Sequence, residues 1–308
     1  MFVKTRKETI ELKILRSLNA RMQLPKKDEN YYSYMEKGFA GEQRFDNWLE
    51  TLTNDCLILN DLLIEINNTV IQIDTLIITA DTLYLFEVKN YEGDYFIESE
   101  RWFTLAKTEI KNPLLQLKRS ESLFQRLLQD LGFTSSVESS LVFVNRDFYL
   151  YQAPLNVPIL FSHQIERFLG RLNMRSSKLK EKHSRLADHL LSLHLEESPY
   201  SRVPEYSFGE LEKGIMCGEC LSLVTVIDDK DLICSSCDFV EDVDSAVLSS
   251  VEEFTMLFPD EKITTNLIHE WCNVPVSKKA IRRVLQTKYK LVGHGKSAGY
   301  VRAITVDE

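Results

Sequence analysis

The sequence predicts an α/β protein, a mixed sheet flanked by helices with smaller modules behind it, on three observations. Helical stretches bracket a run of short strands rich in β-branched and aromatic residues, two CxxC pairs follow, and positive charge gathers near the C-terminal end. Residues 9–24 place Ile10, Leu12, Ile14, Leu15, Leu18 and Met22 along one helical stripe, which Pro25 ends. The polar stretch PKKDENYYS reads as a linker, and Gly38–Leu52 resumes a helix with Phe45, Trp48, Leu49 and Leu52 on one side. Then CLILNDLLIEI, VIQIDTLIIT, TLYLFEVKNY and DYFIE carry the pattern of a sheet. Leu114–Leu131 returns to helical spacing, and SLVFVN at 140–145 is a further buried strand.

Residues 160–195 read as helical and amphipathic, and their His163, His183, His189 and His194 as surface or boundary residues rather than ligands. ESPYSRVPEYS, with two prolines, is the natural linker. The expected segments are therefore 1–37, an N-terminal helix and linker; 38–150, the main α/β domain; 151–200, a helical extension; 201–212, a linker; 213–242, a cysteine module; and 248–308, a basic tail domain.

At 308 residues with 44% apolar side chains, the chain can supply a core for two or three units. No apolar run of membrane-spanning length occurs, and the start MFVKTRKETIELK lacks the features of a signal peptide, so the expectation is a cytoplasmic protein without a membrane partner. The net charge of -9 argues at first against nucleic acid. Its distribution reverses that: no Asp or Glu falls between Trp271 and Val306, while Lys278, Lys279, Arg282, Arg283, Lys288, Lys290, Lys296 and Arg302 do.

The strands VIQIDTLIIT and TLYLFEVKNY are close enough to form a hairpin. With Ala80 and Asp81 as the loop, Thr79 faces Thr82, which puts Asp74 opposite Glu87 and Gln72 opposite Lys89, all four on one face. Ile71, Ile73, Ile77, Tyr84, Phe86 and Val88 are expected on one face and Leu76, Ile78, Leu83 and Leu85 on the other, so the sheet is covered on both sides. Two carboxylates facing each other with Cβ atoms about 5 Å apart repel. A Mg²⁺ or Mn²⁺ ion offsets that repulsion and leaves room for phosphate oxygens, and Lys89 adds a charge to orient water or stabilise a developing phosphorane. The set fits phosphodiester hydrolysis; the alternative is an internal ion cluster in which Lys89 merely neutralises an acid.

The ordered series Gly38-Phe39-Ala40-Gly41-Glu42, Ile73-Asp74, Phe86-Glu87-Val88-Lys89-Asn90 and Asn112-Pro113-Leu114-Leu115-Gln116 resembles the nuclease-related domain family of the PD-(D/E)xK nuclease superfamily, over residues 38 to about 145. That resemblance implies a restriction-endonuclease-like fold in which Asp74 and Glu87 bind Mg²⁺ and Lys89 serves the attacking water. It also implies that Glu42 completes the acidic cluster and that Gln116 lies on a helix beside the site. The proline that names the superfamily is replaced by Ile73. Apart from the resemblance, Glu42 is a solvated acid at a helix start and Gln116 an ordinary surface residue.

Cys217 and Cys220, and Cys234 and Cys237, have the spacing of two zinc knuckles separated by thirteen residues. Four thiolates close a tetrahedral structural Zn²⁺ site in a segment too small to bury a core, and a redox CxxC is the alternative. Cys56 and Cys272 read as buried packing residues. ITTNLIHEWCNVPVSKKAIRRVLQTKYKLVGHGKSAGYVRAI reads as helix, turn, helix and hairpin, with Ile281, Val284 and Leu285 inward. It resembles a winged helix-turn-helix domain, in which the basic side chains meet DNA; a solvated basic face is the alternative. Gly295-Lys296-Ser297 lacks the first glycine and the following helix of a phosphate-binding loop, so no ATP site is expected.

The functional expectation is a metal-dependent nuclease acting on DNA, suited to DNA processing, repair or defence in a bacterium. Its rival is a non-catalytic nucleic-acid-binding or regulatory protein that retains the fold. A two-strand cut would need two sites, from a homodimer or from sequential nicks.

Overall fold

The computed structural model describes residues 1–223, 226–228, 231–273, 276–295 and 298–302. The chain opens with β1 (Phe2–Lys4), α1 (Ile10–Arg21) and α2 (Lys26–Leu49). Next come β2 (Leu57–Ile66), β3 (Thr69–Ile78), β4 (Thr82–Lys89), β5 (Gly93–Glu98), β6 (Arg101–Thr104) and β7 (Glu109–Ile110). After α3 (Pro113–Asp130) follow β8 (Ser136–Phe143), β9 (Phe148–Tyr151), β10 (Ile159–Phe161), α4 (Ser162–Met174) and α5 (Glu181–Ser192). The remainder holds β11 (Val226–Asp228), β12 (Asp231–Ile233), β13 (Val240–Asp242), α6 (Val243–Leu257), α7 (Thr265–Cys272), α8 (Lys278–Lys288), β14 (Tyr289–Val292) and β15 (Gly299–Arg302).

The chain divides into two units, Met1–Glu8 with Ser33–Tyr200, and Thr9–Tyr32 with Ser201–Glu308. This differs from the expected separate N-terminal segment 1–37. The first residues pair in parallel with β2, and α1 counts with the C-terminal unit. Of the stretch 25–33, expected as a linker, all but Pro25 is helical. Pro25 stands just before α2, the carbonyl of Pro25 accepts from the Asp28 and Glu29 amides, and those two acids suit a helix N-terminus. The buried residues of α2, Gly41, Phe45 and Leu49, all lie in its second half, which the apolar spacing marked as a helix, and the half before Gly38 carried no such mark.

In the first unit a mixed six-stranded sheet has the order β1-β2-β3-β4-β8-β10. β2, β3 and β4 form an antiparallel meander, and β4 pairs in parallel with β8. The long connection between those parallel strands contains α3. Asn112 caps α3 by accepting from the Leu114 amide, with Pro113 in the first turn. One core lies between the sheet, α3, α5 and the four-stranded sheet β7-β6-β5-β9; its members include Leu117, Phe124, Leu186, Trp102 and Phe148. The other holds Phe45 and Leu49 of α2 with Ile165 and Leu169 of α4. The sheet is covered on both faces, as its apolar strands require.

Alternation along the central strands breaks at one level. Leu57 and Leu59 share a core with Leu62 and Ile64, and Leu76 and Ile78 share it with Ile71 and Ile73, although strict two-residue periodicity would separate each set. The phase therefore changes between Leu59 and Leu62 in β2, where Asp61 has φ 53°, and between Ile73 and Leu76 in β3. The expectation that Ile71 and Ile73 lie with Ile77, Tyr84, Phe86 and Val88 is thus corrected: the last four face the α2–α4 core and the first two do not.

In the second unit, α1, α6, α7 and α8 enclose a core that includes Leu18, Val247, Phe254, Ile268, Trp271, Ile281 and Leu285. Arg21 is buried there, bonded to Glu253 at 2.6 Å and lying 3.9 Å from the Trp271 ring centre. β14 and β15 pair as an antiparallel hairpin after α8, and β11, β12 and β13 form a small antiparallel sheet. Among the described residues no helix is long and apolar enough to cross a membrane.

Gly41 is where α2 meets the end of β4. A Cβ there would lie 2.5 Å from Cβ of Asn90, whereas one at Gly38 meets nothing within 4 Å. Gly41→Ala is expected to destabilise the protein by about 1–3 kcal/mol in urea unfolding, by overpacking against the Asn90 side chain. Gly38→Ala is expected to be neutral or slightly stabilising, and equal effects of the two would contradict the close approach.

Candidate active site and cysteine cluster

The β3–β4 pairing runs from Ile78↔Leu83 to Thr75↔Phe86 and stops. The next position along it is Asp74 beside Glu87, the juxtaposition expected from the two-residue turn. Both acids are buried, Asp74 at 6% and Glu87 at 2% exposure. Asp74 Oδ2 accepts the Val88 amide at 2.7 Å, so its side chain replaces a ladder acceptor where the strands part. Gln72, expected to face Lys89, is exposed and donates to Asp61 Oδ1 at 2.9 Å.

Lys89 and Gln116 converge on Glu87. Lys89 Nζ donates to Glu87 Oε1 at 2.6 Å, Gln116 Nε2 donates to the same oxygen, and Lys89 reaches Gln116 Oε1 at 3.4 Å. Gln116 is delivered from the first turns of α3, so the cap at Asn112 sets its height over the sheet. Among the described residues, Oδ1 of Asp74 and Oε2 of Glu87 take no hydrogen bond, leaving each acid one oxygen for a cation. That donor set, two carboxylate oxygens on neighbouring strands, is of the kind Mg²⁺ or Mn²⁺ takes.

Glu42 stands on α2, but Arg6 holds it: Nη1 donates to Glu42 Oε2 at 2.7 Å, and Nε donates to Asp46 Oδ2 at 3.0 Å. Sequence reasoning missed Arg6 and Asp46. Asp46 had a signal, lying four residues from Glu42 on the same helix face. Arg6 had none, since KTRKE reads as a solvated charge run.

The electrostatics report an excess of buried negative charge. Burial, then the Asp74 charge, push Glu87 up to about 7 against the pull of Lys89 and Gln116. Burial, then Asp74, likewise push Glu42 up to about 8 against Arg6. Asp74 is raised by burial, opposed by Lys89, the Val88 amide and Arg6. Burial alone would lower Lys89, yet Glu87 and Asp74 together outweigh it and the net shift is upward. Acids that seek protons beside a lysine that keeps its own mark a pocket short of positive charge.

The four cysteines lie with their sulfurs within 4.8 Å of one another; among the described residues no other group of three or more His, Cys, Asp or Glu comes that close. Cys217 Sγ is 3.7 Å from Cys237 Sγ, and Cys220 Sγ 3.5 Å from Cys234 Sγ, too far for disulfide bonds. Each pair has the same turn: the Glu219 and Ser236 amides donate to Cys217 and Cys234 sulfurs, and Leu221 (φ 62°) and Asp238 (φ 59°) follow in the left-handed region. Four sulfurs so arranged can hold a metal ion such as zinc, and the cluster fits a zinc ribbon.

The described basic residues of the tail, Lys278, Lys279, Arg282, Arg283, Lys288, Lys290 and Arg302, are exposed. Arg283 is bonded to both oxygens of Asp244 on α6, and Lys288 Nζ lies 3.5 Å from Glu252, so these two are partly neutralised. Lys296 lies outside the described residues.

A mixed sheet with helices on both faces, and two acids and a lysine where its central strands part, define a nuclease-like α/β domain. Residues 37–144, within the first unit, match the family model described as the nuclease-related domain. The match spans Glu42, Asp74, Glu87, Lys89 and Gln116. No curated protein and no solved structure matches the chain.

Because the native pKa of Glu87, about 7, lies above its ordinary value of 4.5, the folded state binds more protons between those limits. Its contribution to stability is then present at low pH and lost as pH rises from about 4.5 through about 7. Without added metal, the Tm is expected to fall over that interval in a thermal scan, and Mg²⁺ to raise it above neutrality but not in acid. A flat metal-free profile would contradict the buried charge excess. For the cysteine cluster, a thiol-reactive mercurial is expected to release one zinc per chain, read with a colorimetric chelator, and Cys234→Ser to release none.

Proposed function

We propose that this protein is a Mg²⁺-dependent nuclease that hydrolyses DNA phosphodiester bonds at Asp74, Glu87 and Lys89. The observation that carries the reading is the pair of buried acids, each with one oxygen uncommitted, beside a lysine anchored on one of them. Asp74 and Glu87 would hold the cation. Bound there, a divalent cation supplies Lewis-acid polarisation of the phosphodiester and acidifies a bound water.

The protein's own part is positioning and charge. Glu87 fixes Lys89, and Gln116, bonded to Glu87 and reaching Lys89, limits the rotamers of both. The ammonium is thereby set to orient the attacking water or to donate to a phosphate oxygen as negative charge grows there. Burial makes that charge count for more than it would in water.

The second unit is read as the part that holds nucleic acid. Helices α7 and α8 and the hairpin after them have the order of a winged helix-turn-helix, and exposed Lys278, Lys279, Arg282 and Lys290 suit phosphate contacts. A structural Zn²⁺ at Cys217, Cys220, Cys234 and Cys237 would organise the short strands beside it. Reduced thiols at that site go with a cytoplasmic setting.

The test is nicking of supercoiled plasmid and degradation of single-stranded DNA by the full chain with Mg²⁺ or Mn²⁺. Cleavage is expected, dependent on metal and reduced at least about 100-fold in Glu87→Ala and Lys89→Met, both still folded by circular dichroism. DNA shifted on a gel but left intact by the unaltered protein would favour the non-catalytic binding protein.

A further inference from the structure

Arg6 lies just beyond the edge strand β1, and its guanidinium is committed wholly to the acidic cluster. Besides the bonds to Glu42 and Asp46, Nη2 donates to the main-chain carbonyl of Asp74 at 2.7 Å, with longer contacts to Asp46 Oδ1 (3.3 Å) and Thr75 Oγ1 (3.4 Å). Only 2% of its side chain is exposed. The planar fork thus ties α2 to the backbone of the residue read as a cation ligand, a geometry that a lysine could not reproduce.

Charge balance gives the contact a meaning. With every group ionised, Glu42, Asp46, Asp74 and Glu87 are four carboxylates against the two cations Arg6 and Lys89, which leaves two negative charges, the complement of one divalent ion. Asp61 stands further out, acting on Glu42, Asp46 and Asp74, and Lys4 faces it. Were Glu42 and Asp46 not bound to Arg6, the cluster would carry three uncompensated charges and two further ligands, the makings of a second cation site.

We propose that Arg6 sets the metal stoichiometry: it occupies Glu42 and Asp46, so that the site takes one divalent ion at Asp74 and Glu87 and Glu42 is a positioning residue rather than a ligand. The inference rests on the reading of Asp74 and Glu87 as cation ligands. Arg6 also holds the Asp74 carbonyl in place while Asp74 Oδ2 is held by the Val88 amide, which leaves Oδ1 as the oxygen presented to the ion.

The experiment counts Mn²⁺ bound to the full chain, with the cysteine cluster left loaded, from the electron paramagnetic resonance signal of the free ion. Unaltered protein is expected to bind one Mn²⁺ and Arg6→Gln two, and Arg6→Gln with Glu42→Gln one again. Glu42→Gln alone is expected to bind one ion, weakened by about 10- to 100-fold, as for a residue outside the coordination shell. One ion in folded Arg6→Gln, whatever its affinity, or no bound ion in Glu42→Gln, would overturn the proposal; if Arg6→Gln does not fold, Glu42→Gln decides alone. Failure of the underlying reading looks different: the unaltered protein would bind no Mn²⁺, or Glu87→Gln would bind it as well as the unaltered protein does.

Discussion

The constraint on which the first unit depends is the burial of Asp74 and Glu87 side by side where the β3–β4 ladder ends. Like charges in a medium of low polarisability repel strongly, and a sheet with both faces covered screens them less than bulk water would. The surrounding structure answers that constraint. Lys89 and Gln116 share one oxygen of Glu87, the Val88 amide takes one oxygen of Asp74, and Arg6 meets the acids on α2. Each contact removes part of the repulsion, and none of them uses the two oxygens that remain. The unevenness of the central strands follows from the same place, since the phase change in β3 falls at the level of Asp74 and that in β2 at Asp61.

The hairpin was legible because two physical signals agreed. Nearly continuous apolar strands had to be covered on both faces, and a two-residue turn fixes register, so the pairing from Thr79 and Thr82 toward Asp74 and Glu87 could be counted from the turn. The cysteine pairs were legible for a different reason: tetrahedral coordination dictates ligand spacing whatever lies between. What composition could not reveal was the change of phase. It turns partly on one left-handed aspartate, Asp61, and a single non-glycine residue at positive φ leaves no mark in hydrophobic periodicity.

The misreadings at the N-terminal end share one cause, that short or polar elements can be made stable by partners remote in sequence. β1 has three residues, too few to show alternation, and exists because β2 offers it an edge. The start of α2 is polar almost throughout, yet the helix is secured further along by Phe45 and Leu49 in the core. Arg6 belongs with them: on paper it is one cation in a charged run, and only the folded chain brings it to Glu42, Asp46 and the Asp74 carbonyl.

The chain passes from one unit to the other at Glu8, returns at Ser33 and passes over again after Tyr200. Neither unit is therefore a continuous stretch that a single cut could liberate. A fragment ending near Tyr200 would keep α1 but strip Leu18 and Leu24 of the core they pack in, and Arg21 of its Glu253 partner. A fragment beginning after Tyr32 would forfeit both β1 and the arginine beside it. The two units are coupled by the path of the polypeptide itself, so they must be inherited, expressed and dissected together.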